Sequence, residues 1–264
     1  MISGYQTIRF RREQSIGYLQ FHRPEANNAI NDTLIEECRQ VLATHGPDMT
    51  VLILEGLPTV FLFGADFQAI HQQGEQGLTP ENAANTSSPE ALYELWLDLA
   101  TGPYVTVAQV RGRANAGGIG FVAACDIVLA EPGAAFSLSE LLFGLYPACV
   151  LPFLIRRIGH QRAHYMTLMT QPIPAETALA WGLVDAIDAS SDELLRKHLL
   201  RLRRLSKKGI QRYKRYMAGL DPGLAAAQAS AVAGNREVFA DPENLADISR
   251  YVQTGQFPWE KGRR

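Results

Sequence analysis

The chain has 264 residues and a mass of 29.1 kDa, is 47% hydrophobic, and carries 25 Lys and Arg against 27 Asp and Glu. This excludes disordered, collagenous and coiled-coil proteins and leaves one large or two small globular domains. A net charge of −2 and a pI near 6.3 argue against a dedicated nucleic-acid binder. The average hides a separation: residues 194–220 hold ten Lys and Arg and no acid, so a +10 segment is attached to a −12 body. Cys38, Cys125 and Cys149 are too few and too scattered for a disulfide framework or a zinc site, which points to a reducing cytoplasm. The opening MISGYQTIRF is polar where a secretory leader would be apolar. No apolar run approaches the ~18 residues of a membrane span, so neither export nor membrane insertion is expected.

In chain order, Tyr5 to Phe10 and Ser15 to Phe21 alternate with period two and read as a hairpin joined by a charged turn at Arg11 to Glu13. After Arg23-Pro24, Asn31 or Asp32 offers an N-cap for a helix whose face is Leu34, Ile35, Cys38, Val41 and Leu42, ending near Gly46-Pro47. Thr50 to Leu54 and Val105 to Val110 are continuous apolar runs of buried-strand length, separated by a helix around Glu90 to Leu99. The polar stretch Gly74 to Ser88 reads as a mobile surface loop beside a site. From Ser137 onward the pattern is almost entirely helical, with segments at 151–158, 161–168, 175–181, 192–205, 210–217, 223–238 and 244–252. The resulting division is a strand-rich body over 1–190 and a helical region over 191–264. Small apolar runs such as Leu224 to Ala227 suit close packing on a neighbouring subunit or on the body.

Three stretches can carry chemistry. From Val110 to Asp126 a buried strand enters a turn with adjacent Gly117 and Gly118, and a small-residue helix leaves it. Backbone N–H groups at such a helix start can hold a negative oxygen, although the glycines could equally serve only close packing. Phe61 to Phe67 turns at Gly64 into a second helix, where Asp66 reads first as a cap and second as a catalytic carboxylate. Glu140 stands without another ionisable group between Ala134 and Ile155 except Tyr146 and Cys149. It is either a desolvated acid or base, or an exposed residue at a helix start. His160 and His164 have metal-ligand spacing but lack a third ligand, and no metal is expected. Trp96 and Trp181 fit core faces, and Trp259 reads as a dock for the tail.

Together these stretches resemble the enoyl-CoA hydratase/isomerase (crotonase) family. The resemblance runs from His22-Arg23-Pro24-Glu25-Ala26-Asn27-Asn28-Ala29, through Gly64-Ala65-Asp66, Ala116-Gly117-Gly118, Cys125-Asp126-Ile127 and Glu140, to Gly182-Leu183-Val184-Asp185. It implies an α/β fold with a crotonase-like ββα spiral core, and a helical C-terminal trimerisation region giving a homotrimer or a dimer of trimers. It also implies thioester substrates held on pantetheine, with no further cofactor. The N–H groups of Ala65 and Gly117 would form the oxyanion hole, flanked by Gly64 and Gly118. Typical members carry two catalytic glutamates; this chain has Gly120 at the first position and Glu140 at the second. Asp66 and Asn115 join Glu140 as catalytic candidates, and Tyr146, Arg113 and His71 join the glycines as substrate-binding candidates, Arg113 or His71 for a substrate carboxylate.

Within the family the runs HRPEANNAINDTLIEE, ILEGLP, FSLSELLFGLYPACVLPFLIRRIG, HYMTLMT and RYVQTGQFPWE are similar to the dehydratases of polyketide β-branching cassettes. That resemblance implies loss of water from 3-hydroxy-3-methylglutaryl on an acyl carrier protein, giving 3-methylglutaconyl. The alternatives are a catabolic enoyl-CoA hydratase or isomerase, and a non-catalytic carrier-protein docking subunit of the same fold. Read on its own pattern, residues 194–220 form one amphipathic helix with a solvated basic side. Set beside the resemblance, they form a surface that steers an acidic carrier protein.

Overall fold

The computed structural model describes residues 4–75 and 88–260. The expected loop at 74–88 lies almost wholly outside the described residues. The chain opens with β1 (Ile8–Glu13) and β2 (Ile16–Phe21), antiparallel with Glu13 opposite Ile16. Their turn is therefore Gln14-Ser15, not Arg11 to Glu13. Gln14 takes φ +56°, the left-handed twist that two-residue hairpins need, and the charged residues belong to an exposed strand end. Helix α1 (Asp32–His45) is capped as its sequence predicts, with Leu34 N–H donating to Asn31 Oδ1 at 2.9 Å.

The chain then climbs a spiral in which each turn gives one long strand to a large sheet and one short strand to a small sheet. β3 (Val51–Glu55), β5 (Val105–Val110) and β7 (Ile127–Ala130) join the large sheet, whose order is β1-β2-β3-β5-β7-β10, with β10 at Ala186–Ile187. β4 (Val60–Leu62), β6 (Arg113–Asn115), β8 (Ala135–Ser137) and β9 (Ile173–Pro174) form the small one. Helices α2 (Phe67–Glu75), α3 (Pro89–Thr101) and α4 (Gly117–Ala124) complete the turns. The short strands, at two or three residues, are too brief to show a period, so the sequence reads as strand, helix, strand where the fold is strand, strand, helix.

Strand alternation divides the apolar residues between two cores. Leu19, Phe21, Leu52 and Leu54 face the main core with α1, α3 and α4. Tyr18, Val51, Ile53 and Val107 face the other way and are covered by Leu194, Leu195 and Leu199 of α8 (Ser191–Leu202). Next come α5 (Leu151–Ile158), α6 (His160–Met169) and α7 (Ala175–Trp181), and after α8, α9 (Lys207–Leu220), α10 (Gly223–Ala240) and α11 (Pro242–Thr254). Leu224, Ala231 and Val232 of α10 enter the main core.

The basic segment is two helices, as the separate segments at 192–205 and 210–217 anticipate, not the single amphipathic helix of 194–220. α8 ends at Leu202, Ser206 caps α9, and Leu205 between them is 47% exposed. Phe257, not Trp259, docks the C-terminal tail: it packs 5.7 Å from Phe143 and 4.9 Å from Tyr251, while Trp259 stacks outside it and is half exposed. Trp96 is buried and Trp181 partly so. All three cysteines are free and buried.

Candidate active site

Two turns meet at the ends of β4 and β6. A Cβ built on Gly64 would lie 2.5 Å from Ala116 Cβ and 3.5 Å from Gly117 N, so only glycine lets the turns approach this closely. Ala65 makes a parallel bridge with Ile30, in which Ile30 N–H donates to Gly64 O at 2.9 Å and Asp66 N–H to Ile30 O at 3.1 Å. In that pattern Ala65's own N–H points away from its partner strand. Gly117 begins α4, where the N–H has no acceptor within the helix. Ala116 before it is held at φ +51°, a strained geometry for a non-glycine residue that sets the direction of the Gly117 N–H. Both groups border a cavity of about 840 Å³. Gly118 does not: its Cβ position is 2.0 Å from Leu62 O, so it serves packing between α4 and β4.

Asp66 is committed to the turn. Oδ1 accepts from Ala69 N–H at 3.1 Å, capping α2, and Oδ2 accepts from Arg23 Nη2 at 3.0 Å in a pair that is mostly buried. Its capping reading therefore prevails over the catalytic one, and Arg23 fastens the turn to the segment before α1. Asn28, fully buried with φ +53°, does the same for β2 and β4: its Nδ2 donates to Phe21 O and Phe61 O, and its Oδ1 accepts from Arg23 N–H. The sequence motif Arg23 to Ala29 flags these residues, but their partner at position 66 is too distant for pattern reading to find.

Glu140 starts a short 3-10 turn, Glu140–Phe143, on the cavity wall. Its Oε2 is sealed from bulk solvent and has no hydrogen-bond partner among the described residues. Burial pushes its carboxyl up to about 7, against the opposing pull of the backbone N–H groups of Ser139 and Glu140. Beside it, Ser137 Oγ donates to Asn115 Oδ1 at 2.8 Å, and Asn115 Nδ2 donates to Ser139 Oγ at 2.9 Å. This leaves one Asn115 N–H for another acceptor. Arg113, two residues earlier on the same face of β6, lines the cavity with its guanidinium 5.2 Å above the Phe63 ring, and it has no acidic partner among the described residues. Tyr146 also lines the cavity, with its hydroxyl turned toward Glu237 Oε2 at 3.2 Å.

His71 is not brought to the cavity wall; it faces α11, with Nδ1 2.9 Å from Ser249 Oγ. No residue of the basic segment 194–220 lines the cavity either. Arg203 sits with Arg11, Tyr18 and Glu55 at a separate depression bordering α8, and Lys207 and Lys214 are used internally. The segment therefore lies apart from the cavity wall within the chain. Among the described residues no cluster of metal-ligating side chains occurs.

A spiral of paired strands and helices, two converging N–H donors and one desolvated carboxylate define the class. The chain belongs to the enoyl-CoA hydratase/isomerase family, whose model matches residues 11–262. It is 62% identical to the bacillaene synthase dehydratase PksH of Bacillus subtilis over 97% of each chain. It superposes on a crystal structure of a polyketide biosynthesis enoyl-CoA hydratase from that organism with a TM-score of 0.93, at 61% identity, covering 97% of this chain and all of the other. An enoyl-CoA hydratase/isomerase structure from Xanthobacter autotrophicus, 21% identical over 96% of this chain and 95% of its own, shares the fold with a TM-score of 0.83.

Proposed function

We propose that this protein is a dehydratase of polyketide biosynthesis that removes water from a 3-hydroxy-3-methylglutaryl thioester on an acyl carrier protein, yielding 3-methylglutaconyl on the same carrier. The observation that carries the reading is the unpartnered Glu140 Oε2 on the wall of a cavity with two N–H donors, in a chain so similar to the bacillaene synthase dehydratase. The thioester oxygen accepts from Ala65 and Gly117, which stabilises the enolate as the α-proton leaves. Glu140, ionised, takes that proton. The enolate then expels the 3-hydroxyl, which recovers the proton from Glu140 and departs as water, so one carboxylate serves as base and acid. A tertiary hydroxyl leaves more readily than a secondary one, which suits a site with Gly120 where a second glutamate would stand.

Arg113 supplies the charge that selects a substrate ending in a carboxylate. Arg113→Gln is expected to raise KM for the hydroxymethylglutaryl thioester about 10- to 100-fold, the range for one charge-assisted hydrogen bond, with little change in kcat. An unchanged KM would remove Arg113 from substrate binding. Exposed Tyr213, Tyr216, Met217 and Leu220 on α9, with Tyr165, Leu168 and Met169 on α6, support the trimeric arrangement of the family. The deciding experiment is mass spectrometry for water loss from the hydroxymethylglutaryl group on acyl carrier protein and on coenzyme A. Loss from the carrier form, abolished in Glu140→Gln with carrier binding intact, is expected. Preference for coenzyme A would favour a catabolic hydratase, and no loss from either a non-catalytic docking subunit.

A further inference from the structure

Gly120 lies one turn into α4, and the space its side chain would take is already filled. A Cβ built there would meet the Trp96 ring at 2.4 Å from Cζ2, 2.5 Å from Cη2 and 2.7 Å from Cε2, the carbon bonded to Nε1. The same ring lies 4.0 Å from a Cβ built on Gly117, beside the oxyanion turn. The indole therefore occupies the room of a second carboxylate. It is held rigidly, edge to face against Phe121 and Phe153 with ring centroids 5.8 Å away in both cases. Trp96 is 1% exposed, and its ring contributes to the wall of the cavity that also holds Glu140. Its Nε1–H is sealed from bulk solvent and has no partner among the described residues.

Two residues that line one cavity thus each carry an unpartnered buried polar atom, an acceptor on Glu140 and a donor on Trp96. Native interiors rarely leave such a group unmatched, and each is explained if the bound acyl group supplies its partner. An indole N–H can donate but neither accept nor release a proton under these conditions, which restricts what it can do. Resting on the dehydratase reading above, we propose that Trp96 Nε1–H donates to the 3-hydroxyl oxygen of the bound acyl group, orienting its C–O bond and stabilising charge as that bond breaks. The proton that converts the leaving hydroxide to water still comes from Glu140. The electron pair of the Cα–H bond becomes the alkene and that of the C–O bond leaves with oxygen, so the step balances without another reactant.

The test uses Trp96→Phe, which keeps most of the ring packing and removes the N–H. In a Glu140→Gln background, binding of two pantetheine thioesters is compared, 3-hydroxy-3-methylglutaryl and its 3-deoxy counterpart 3-methylglutaryl. The hydroxyl form is expected to bind about tenfold more tightly before the substitution and equally after it, whereas a packing role would weaken both alike. In the active chain, Trp96→Phe is expected to lower kcat about 10- to 100-fold while the pH midpoint set by Glu140 stays in place. A folded variant that keeps the hydroxyl preference overturns the proposal and leaves the N–H to water. Should the variant not fold, the Trp96 indole N–H resonance of the Glu140→Gln chain, labelled with nitrogen-15, replaces it. A shift on adding the hydroxyl form but not the deoxy form is expected, and identical shifts overturn the proposal. If the unmodified chain dehydrates nothing, the functional reading has failed; if it dehydrates and Trp96→Phe changes nothing, only this inference has.

Discussion

Glu140 is held where its ionised form is least comfortable, and that has a consequence for stability as well as for rate. Its carboxyl, raised to about 7 by burial, binds a proton in the folded chain over a pH range where the unfolded chain has already lost it. Folding stability therefore falls as pH rises from the ordinary glutamate range to about 7, and the deficit is complete above that. Glu140→Gln should abolish dehydration and yet raise stability at pH 8 by on the order of 3 kcal/mol, with no gain at pH 4. Urea unfolding at the two pH values checks this, and an equal effect at both would show that the carboxyl is not desolvated. The rate argument has the opposite sign. The proposed base Glu140 must be ionised, so kcat/KM should rise with pH to a plateau with its midpoint near 7. At this scale the sequence was informative where a residue stood out from its neighbours: Glu140 in an apolar run, or glycines paired at a turn. It was uninformative where the role depends on a distant partner. Nothing near Trp96 shows that Gly120 makes room for its ring, and nothing near His71 shows that it turns to Ser249.

Among the elements, the long periodic ones were legible and the short ones were not. The bounds of α7 and β5 match those read from pattern and composition alone, because a buried apolar strand or a seven-residue helix has enough positions to show itself. β4, β6 and β8 have three residues each, yet they carry the Gly64 and Ala116 turns of the proposed oxyanion hole and Arg113. The resemblance to a known family supplied the spiral that periodicity could not. The turns themselves are joined by contact across 52 residues of chain, from Gly64 to Ala116. Gly64→Ala should force them apart, since a Cβ 2.5 Å from Ala116 Cβ cannot be accommodated by a flexible side chain. The expected result is a loss of kcat of about 100-fold, from displaced N–H donors, together with about 1–3 kcal/mol of destabilisation. Steady-state kinetics on the folded fraction separates the two, and a variant with full turnover would show that the turns do not set the oxyanion geometry.

At the scale of the molecule, part of the +10 segment on the −12 body serves to fasten the helices. Arg196 pairs with Glu193 at 2.8 Å and Lys197 with Asp188 at 3.5 Å. Lys207 donates to Gly46 O and Met49 O, both at 2.6 Å, satisfying carbonyls at the C-terminal end of α1, where a cation is favoured. Lys214, 5% exposed, pairs with Asp126, whose other oxygen accepts from Thr106 N–H at 2.8 Å and Thr106 Oγ1 at 3.1 Å. Thus α9 is fixed to the end of the large sheet where β5 and β7 begin, while the cavity is lined by the N-terminal half of α3 and the C-terminal half of α10, among others. Removing one partner of such a pair leaves the other charge partly buried and uncompensated, which costs more than the pair gains. Lys214→Met, which preserves side-chain length, should therefore lower stability by about 3 kcal/mol. The urea midpoint reads this directly. Turnover per folded molecule should be unchanged, since none of these residues lines the cavity. A midpoint shift equivalent to less than about 0.5 kcal/mol would return Lys214 to the class of surface ion pairs and leave the charge separation unexplained by fastening.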